Sequence, residues 1–499
     1  MDPITFDEIP FDWLEPGTFL EVRPNYADVG ILPYPARVLI VGQKLAGGTL
    51  AEGQVRQVTR AGEAEQLFGA GSIGAEQVNA FRKANTVTPL FVTALEDAAG
   101  AVKAAGTVTF AGTVPAATVL RFRINNRQVR ITAGTGDAVA DMASALADAI
   151  NAETALPVTA AAAAAVVTVT CRHGGEVGNE IDLRVDTKAQ PVPDGLTVTI
   201  AGMSNGAGNP DGQAALDAVI NDWYTQVQWP WNDATNMTAL ATDMARRYQA
   251  MSKLDCHAFV GKRGTFGEQI TFGALTNSPF ITKSGLDRSP SSPWALSAVC
   301  CAVATFHLTN DPARQLKSLP LPGITAPDEV DRFTEEEQNL LLQAGISTFD
   351  HLPDGTTTIS RMITSYKVSN LETADRAWLD IMVPATMSRI RYDWAAYVSL
   401  LYPRAKLIAD EDTAAFISPP GERNAGEGNS VVTPKRMYGS WAGRCRLYAD
   451  RVWIQQAERT IAESVFQIDP DDDNRLNARQ QVKIAGNLMV LAGALEFQV

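Results

Sequence analysis

Residues 37–42 read RVLIVG and residues 89–95 read PLFVTAL. Each is a short, continuous apolar run bounded by Pro or Gly, the pattern of a strand buried on both faces of a sheet. Residues 75–84 between them carry helical periodicity, so the chain opens strand–helix–strand. The same alternation returns after residue 212, with a helix over 213–222, a strand over 224–228, a helix over 234–251, a strand over 258–261 and a helix over 265–275. Such alternation predicts a parallel sheet flanked by helices. Residues 293–308 form an Ala-rich helix without a polar face, which has to be buried.

Between these halves the composition shifts to Thr, Val, Ala and Gly. Strands are predicted over 107–110, 120–124 and 128–131, the last two joined through Asn125-Asn126-Arg127. A helix over 137–151 presents Val139, Met142, Leu146 and Ile150 as one stripe. Strands follow over 166–170, 181–185 and 196–200, and residues 160–165 are low-complexity alanine. Residues 98–204 therefore read as an inserted β-rich α+β module with its own core. The linker NGAGNPDG (205–212) closes it, and a three-proline connection at 311–323 leads to a last region. In that region residues 450–468 read as a helix with Trp453, Ala457, Ile461, Val465 and Ile468 on one face. The fold class expected is α/β and α+β, multidomain.

At 499 residues the chain has material for three or four domains. Its 42 Lys+Arg against 56 Asp+Glu leave a net charge of −14, which argues against general nucleic-acid or anionic-membrane binding. Cys171, Cys256, Cys300, Cys301 and Cys445 show no paired spacing and read as reduced, buried thiols. The acidic, proline-broken start is no signal peptide, and no apolar run approaches the ~18 residues of a spanning helix. A soluble, cytosolic product is expected.

Five chemical patterns fail on context. Gly69-Ala70-Gly71-Ser72-Ile73-Gly74 matches GxGxxG, but a dinucleotide fingerprint follows a strand and residues 63–68 are helical in character, so a glycine-rich loop between helices is expected. Gly202-Met203-Ser204-Asn205-Gly206 matches GxSxG after a strand, yet a flexible linker follows where a nucleophile elbow needs a helix. Asp469, Asp471 and Asp473 sit at calcium-loop positions 1, 3 and 5, but Asn474 replaces the glycine and Gln480 the bidentate glutamate. His173, His257, His307 and His351 have no metal-ligand spacing, and Lys262 has no phosphate-loop context. No catalytic residue, cofactor or metal is expected, and the chain is not expected to be an enzyme.

Surface chemistry remains. Within residues 435–451 stand Lys435, Arg436, Arg444, Arg446 and Arg451 against the single acid Asp450, interleaved with Met437, Tyr438, Trp441 and Tyr448. That stretch reads either as an ordinary solvated face or as a docking surface for an acidic partner. Both chain ends are apolar and extended. Pro3, Pro10, Pro16, Pro24, Pro33 and Pro35 punctuate the start, with short extended patches at 4–6 and 18–22. The end ALEFQV (494–499) alternates with Leu495, Phe497 and Val499 on one face of a strand. Such ends suit docking onto something else.

The opening ITFDEIP…PGTFLEVRPNYADVG…PARVLIVGQ resembles contractile-phage tail sheath proteins of the Mu-like group. Further ordered resemblances run through KRGTF (262–266), DPAR (311–314), LPLPGI (319–324), LLLQAGIST (340–348), YPRAKL (402–407) and the terminal GALEFQV. The resemblance implies a polymerising core in two parts (36–97 and 205–312), the insertion at 98–204, a C-terminal sheath domain at 313–493, an N-terminal arm at 1–35 and a C-terminal donor strand at 494–499. It implies a virion-tail protein, assembled in the host cytoplasm as stacked hexameric rings around the tail tube. Contraction then drives the tube through the host envelope for genome delivery. The implied partners are further copies of itself, tube protein, baseplate and tail-terminator proteins, with no nucleic acid and no membrane insertion. Strand donors would be Ile4, Phe6, Phe19, Leu20 and Val22 at the N-terminus and Leu495, Phe497 and Val499 at the C-terminus. Lys435, Arg436, Arg444, Arg446 and Arg451 are then expected to face the tube. The alternatives are the sheath of a phage-derived bacteriocin or injection device and, in another class, a cytosolic serine hydrolase using Ser204.

Overall fold

The computed structural model describes residues 17–18, 30–60, 62–188, 190–411 and 431–496. The chain divides into two compact units, Pro35–Arg389 with Ile484–Val499, and Met1–Tyr34 with Ile390–Lys483.

In the larger unit, β1 (Val38–Gln43) is buried at every position. There follow β2 (Arg56–Val58), α1 (Glu63–Phe68), α2 (Ile73–Ala84) and β3 (Leu90–Leu95). The inserted stretch contributes β4 (Lys103–Gly112), β5 (Thr118–Ile124), β6 (Arg127–Ala133), α3 (Val139–Ala152), β7 (Val158–Ala163), β8 (Val166–Gly174), β9 (Leu183–Val185) and β10 (Leu196–Ser204). The core resumes with α4 (Gln213–Ala218), β11 (Gln226–Trp229), α5 (Ala234–Tyr248), β12 (His257–Arg263), α6 (Phe266–Ala274), β13 (Ile281–Leu286) and α7 (Pro293–Asn310). One six-stranded sheet runs β13-β12-β11-β1-β3-β2, parallel except for β2 at its edge. Helix α7 is buried through most of its length, as its alanine-rich sequence requires, and packs on α2 and the sheet.

The insertion forms a four-stranded sheet, β10-β4-β8-β7, and a three-stranded one, β6-β5-β9. Met142, Leu146 and Ile150 of α3 are buried among them, while the alanine tract becomes the edge strand β7. Asn125 and Asn126 link β5 to β6 as a two-residue turn with φ of 45° and 63°. Both angles are left-handed, the hairpin geometry that asparagine tolerates best among side chains with a Cβ.

This turn also locks the module to the core. Asn125 Nδ2 donates to both carboxylate oxygens of Glu76 on α2, at 2.9 and 2.8 Å. Trp294 Nε1 and Ser292 Oγ donate to the same carboxylate at 2.8 and 3.0 Å. Every partner is a donor, which suits an acceptor-only carboxylate, although burial raises the pKa of Glu76.

The chain continues in this unit through β14 (Pro320–Thr325), α8 (Glu335–Gln343), β15 (Thr348–His351) and β16 (Thr356–Arg361). The unit boundary falls at Arg389/Ile390, inside α9 (Met382–Leu401), rather than near residue 313. The reason is pairing at the β13 edge. Ser347 N donates to Lys283 O at 2.8 Å and Ser365 N to Ile281 O at 2.7 Å, so this segment is fastened to the six-stranded sheet.

The smaller unit holds the rest of α9, β17 (Lys406–Leu407), β18 (Val431–Val432), α10 (Pro434–Asp450), α11 (Ala457–Ala462), β19 (Val465–Asp469) and β20 (Asp472–Arg479). The single helix expected over 450–468 is corrected here. Val452 and Gln456 take left-handed φ values of 58° and 57°, which break the helix, and the Val-Phe-Gln-Ile run alternates as a strand. Asp469, Asp471 and Asp473 consequently lie at the turn of the β19–β20 hairpin, not after a helix.

Candidate interaction surfaces and the crevice at the strand ends

From β1 the chain moves to β3 on one side, and its later strands β11, β12 and β13 lie on the other. The crevice beyond the carboxyl ends of these strands is where open α/β sheets bind ligands. Beyond β1 and β3 the protein's own side chains fill it. Gln43 Nε2 donates to Asp97 Oδ1 at 2.7 Å and to Gly174 O at 2.8 Å, and Trp231 Nε1 donates to Gln43 Oε1 at 3.4 Å. His173, from the insertion, has its Nδ1 3.0 Å from Asp97 Oδ1.

The same histidine explains the GxGxxG stretch, which does form a loop between α1 and α2. Ile73 N donates to His173 Nε2 at 3.2 Å, and Ser72 Oγ accepts from Ala75 N at 3.2 Å. Amides that would hold a phosphate at this helix start are thus occupied. The glycines serve close packing: a Cβ on Gly71 (φ 75°) would lie 2.5 Å from Leu156 O, and one on Gly74 2.2 Å from the Phe68 ring.

Because His173 Nε2 accepts a hydrogen bond, its proton sits on Nδ1 and the ring is neutral. Burial pushes its pKa down, and burial holds His257 near 3 and His351 near 4. In the unfolded chain these rings titrate near 6.5. The unfolded state therefore takes up protons first, and stability present above pH 6.5 is lost as pH falls toward 4. His257, held near 3 against about 6.5 in the unfolded chain, is expected to account for about 2 kcal/mol of that loss by pH 5. Thermal unfolding at pH 7.0, 5.5 and 4.5 should show a falling midpoint; a flat one would contradict the neutral assignment.

Ser204 ends β10 on the surface, where Asn205 Nδ2 donates to its Oγ at 3.3 Å. The histidines face elsewhere: His257 Nε2 lies 2.8 Å from Thr282 Oγ1 and His351 Nδ1 3.2 Å from Thr357 Oγ1. No metal-binding group of His, Cys, Asp and Glu occurs among the described residues.

The basic stretch 435–451 does not form one face, and this corrects the expectation for Arg444. Helix α10 buries Met437, Trp441, Arg444, Cys445 and Tyr448, positions spaced by three or four on one side. Arg444 is 1% exposed and pairs with Asp393 of α9, which is 0% exposed. Arg444 Nε donates to Asp393 Oδ2 at 3.0 Å, Tyr448 OH donates to the same oxygen at 2.6 Å, and the guanidinium lies 4.8 Å from the Tyr397 ring centroid. Burial opposes the Arg444 charge, but the Asp393 carboxylate more than offsets this and raises its pKa. Lys435, Arg436, Arg446 and Arg451 are exposed on the other side. Arg436 Nη1 donates to Val431 O at 2.7 Å, and Arg446 pairs with Glu458 at 3.0 Å. The interleaved aromatics Trp441 and Tyr448 belong to the core.

Ile4, Phe6, Phe19, Leu20 and Val22, with Phe497 and Val499, lie outside the described residues. Their roots are described, and sequence reading missed both. At the front, Leu32 N donates to Asp393 Oδ1 at 2.9 Å and Arg444 Nη1 to Gly30 O at 3.3 Å. Tyr34 meets Tyr392 edge-on at 5.4 Å. At the back, Asn487 Nδ2 donates to Ala313 O at 3.2 Å, and Gln315 Nε2 lies 2.8 Å from Met489 Sδ. In and after this fixing, Leu488, Val490, Leu491 and Leu495 are 78, 77, 85 and 99% exposed. A run of exposed apolar residues without regular secondary structure has the chemistry of a contact surface.

Comparison with known proteins gives these features a context. A family profile for the phage tail sheath protein central domain matches residues 205–365. The Mu-like prophage FluMu tail sheath protein of Haemophilus influenzae is 29% identical over 495 residues, 99% of each chain. Among solved structures, the sheath tail protein of Listeria innocua aligns over 92% of this chain and 94% of its own, at 11% identity and TM-score 0.49. That of Desulfitobacterium hafniense aligns over 94% and 100%, at 12% identity and TM-score 0.48. With a sheath profile over residues 205–365 and a Mu-like sheath aligned from end to end, the chain is similar to phage tail sheath proteins of the Mu-like group.

Proposed function

We propose that this sheath subunit polymerises as stacked hexameric rings around the tail tube and shortens on triggering, driving the tube through the host envelope. The observation that carries this reading is the Mu-like sheath alignment across 99% of both chains. Its partners are other copies of itself, the tube, the baseplate and the tail terminator, with assembly in the host cytoplasm. No helix among the described residues is long and apolar enough to cross a membrane.

The arms supply the connection between subunits. Among the described residues hairpin β19–β20 stands as a two-stranded sheet, whose outer edges are where an incoming strand would add. A lone hairpin is marginal in water, so strands added by a neighbour stabilise the acceptor as well as the donor. Shortening would then draw on free energy stored at assembly, with subunits reorienting as bodies while the arms stay engaged. Negative-stain microscopy of the purified protein tests the class: hollow cylinders of uniform diameter are expected. A protein that stays monomeric at high concentration and in the presence of tube would overturn the reading.

A further inference from the structure

We propose that the buried Asp393 carboxylate is the positioning anchor of the N-terminal arm, clamping its root at residues 30–34 onto the smaller unit. The proposal rests on the reading that the arms join subunits. It assigns to Asp393, Arg444 and Tyr448 a task beyond packing.

The observations converge on one carboxylate. Asp393 is 0% exposed, so each of its oxygens requires a partner. Oδ2 is used within the helices, by Arg444 Nε at 3.0 Å and Tyr448 OH at 2.6 Å. Oδ1 accepts from the backbone N–H of Leu32, 361 positions away in sequence. The same guanidinium that neutralises Asp393 also donates to Gly30 O at 3.3 Å. Two backbone groups of an otherwise irregular segment are thus held by a charge pair assembled on α9 and α10. The Tyr34–Tyr392 contact fixes the segment a third time, two residues further on.

This placement has a consequence for assembly. Residues 1–29 precede the clamp and, fully extended at ~3.3 Å per residue, could reach about 95 Å. A free root would let that reach sample a large volume and lower the effective concentration of the donor strand at its acceptor. A fixed root sets the exit point and removes part of the ordering cost before a neighbour arrives. The clamp uses a backbone N–H, so it asks nothing of the side chain at position 32.

That last feature makes the test specific. Leu32→Pro deletes the donor while leaving the Asp393–Arg444–Tyr448 cluster intact; Leu32→Ala keeps the donor. For Leu32→Pro, deuterium uptake over residues 30–38 is expected to accelerate about tenfold with α9 and α10 as protected as in the parent protein. The critical concentration for forming cylinders should rise about tenfold. Leu32→Ala should match the parent in both. Parent-like exchange at 30–38 or a parent-like critical concentration in Leu32→Pro would overturn the proposal, as would a Leu32→Ala defect equal to that of Leu32→Pro. A chain lacking residues 1–29 separates the two levels. If it polymerises normally, the arm reading itself fails; if it does not while Leu32→Pro does, only the clamp fails.

Discussion

Removal of residues 494–499, or the single change Phe497→Asp, is expected to yield a soluble, folded subunit that forms no cylinders. Burying Leu495, Phe497 and Val499 against a neighbour contributes ~1.5–3 kcal/mol each, or about 5–9 kcal/mol together. Ordering six residues costs ~1–2 kcal/mol apiece, which is of the same size. A single arm is therefore close to balance, and a lattice held by it depends on every subunit making the contact at once. Deleting the donor removes the favourable half, and an aspartate at position 497 would bury an unpaired charge. The fold should not register the loss, because Leu495 is 99% exposed in the subunit. Unchanged thermal unfolding together with the absence of cylinders by negative stain is the expected pair of results; cylinders of normal length would refute the donor assignment.

Replacing Arg444 with alanine is expected to destabilise the smaller unit by roughly 3–5 kcal/mol, since it strands the buried Asp393 carboxylate without its counter-charge. The neighbouring change Arg446→Ala, two residues along the same helix, should leave stability unchanged, because Arg446 and Glu458 pair in solvent at 58 and 75% exposure. Urea denaturation with hydrogen exchange followed over residues 431–479 checks both variants. Equal effects would mean that Arg444 is solvated, as the sequence alone suggested. In place of equivalent charges on one docking face, the helix carries one structural arginine, Arg444, and two surface ones, Arg436 and Arg446.

That contrast shows where sequence reading stops. β1, β3, α2 and α7 were legible because a continuous apolar run, or an apolar stripe of fixed period, is written in neighbouring residues. The looped reading of the GxGxxG stretch was also available locally, from the helical residues before it. Arg444 was not, because the group that buries it, Asp393, stands 51 positions earlier. β13 was missed for a related reason. Its sequence ITKSGL looks like a surface segment, yet all six residues are buried. Lys283 is tolerated there because its ammonium donates to Phe272 O at 2.7 Å and Gly273 O at 3.1 Å, carbonyls at the end of α6. Burial still pulls its pKa down to about 6. The helix expected over 450–468 failed because left-handed residues at Val452 and Gln456 break a pattern that periodicity alone would continue.

The two arm roots lie on different bodies. Residues 30–34 belong with the smaller unit, and residues 487–489 are fastened to the larger. Between the units the backbone passes three times, at Tyr34/Pro35, Arg389/Ile390 and Lys483/Ile484. On the proposed reading of the arms, a pull passed from one arm to the other runs through both units of the subunit.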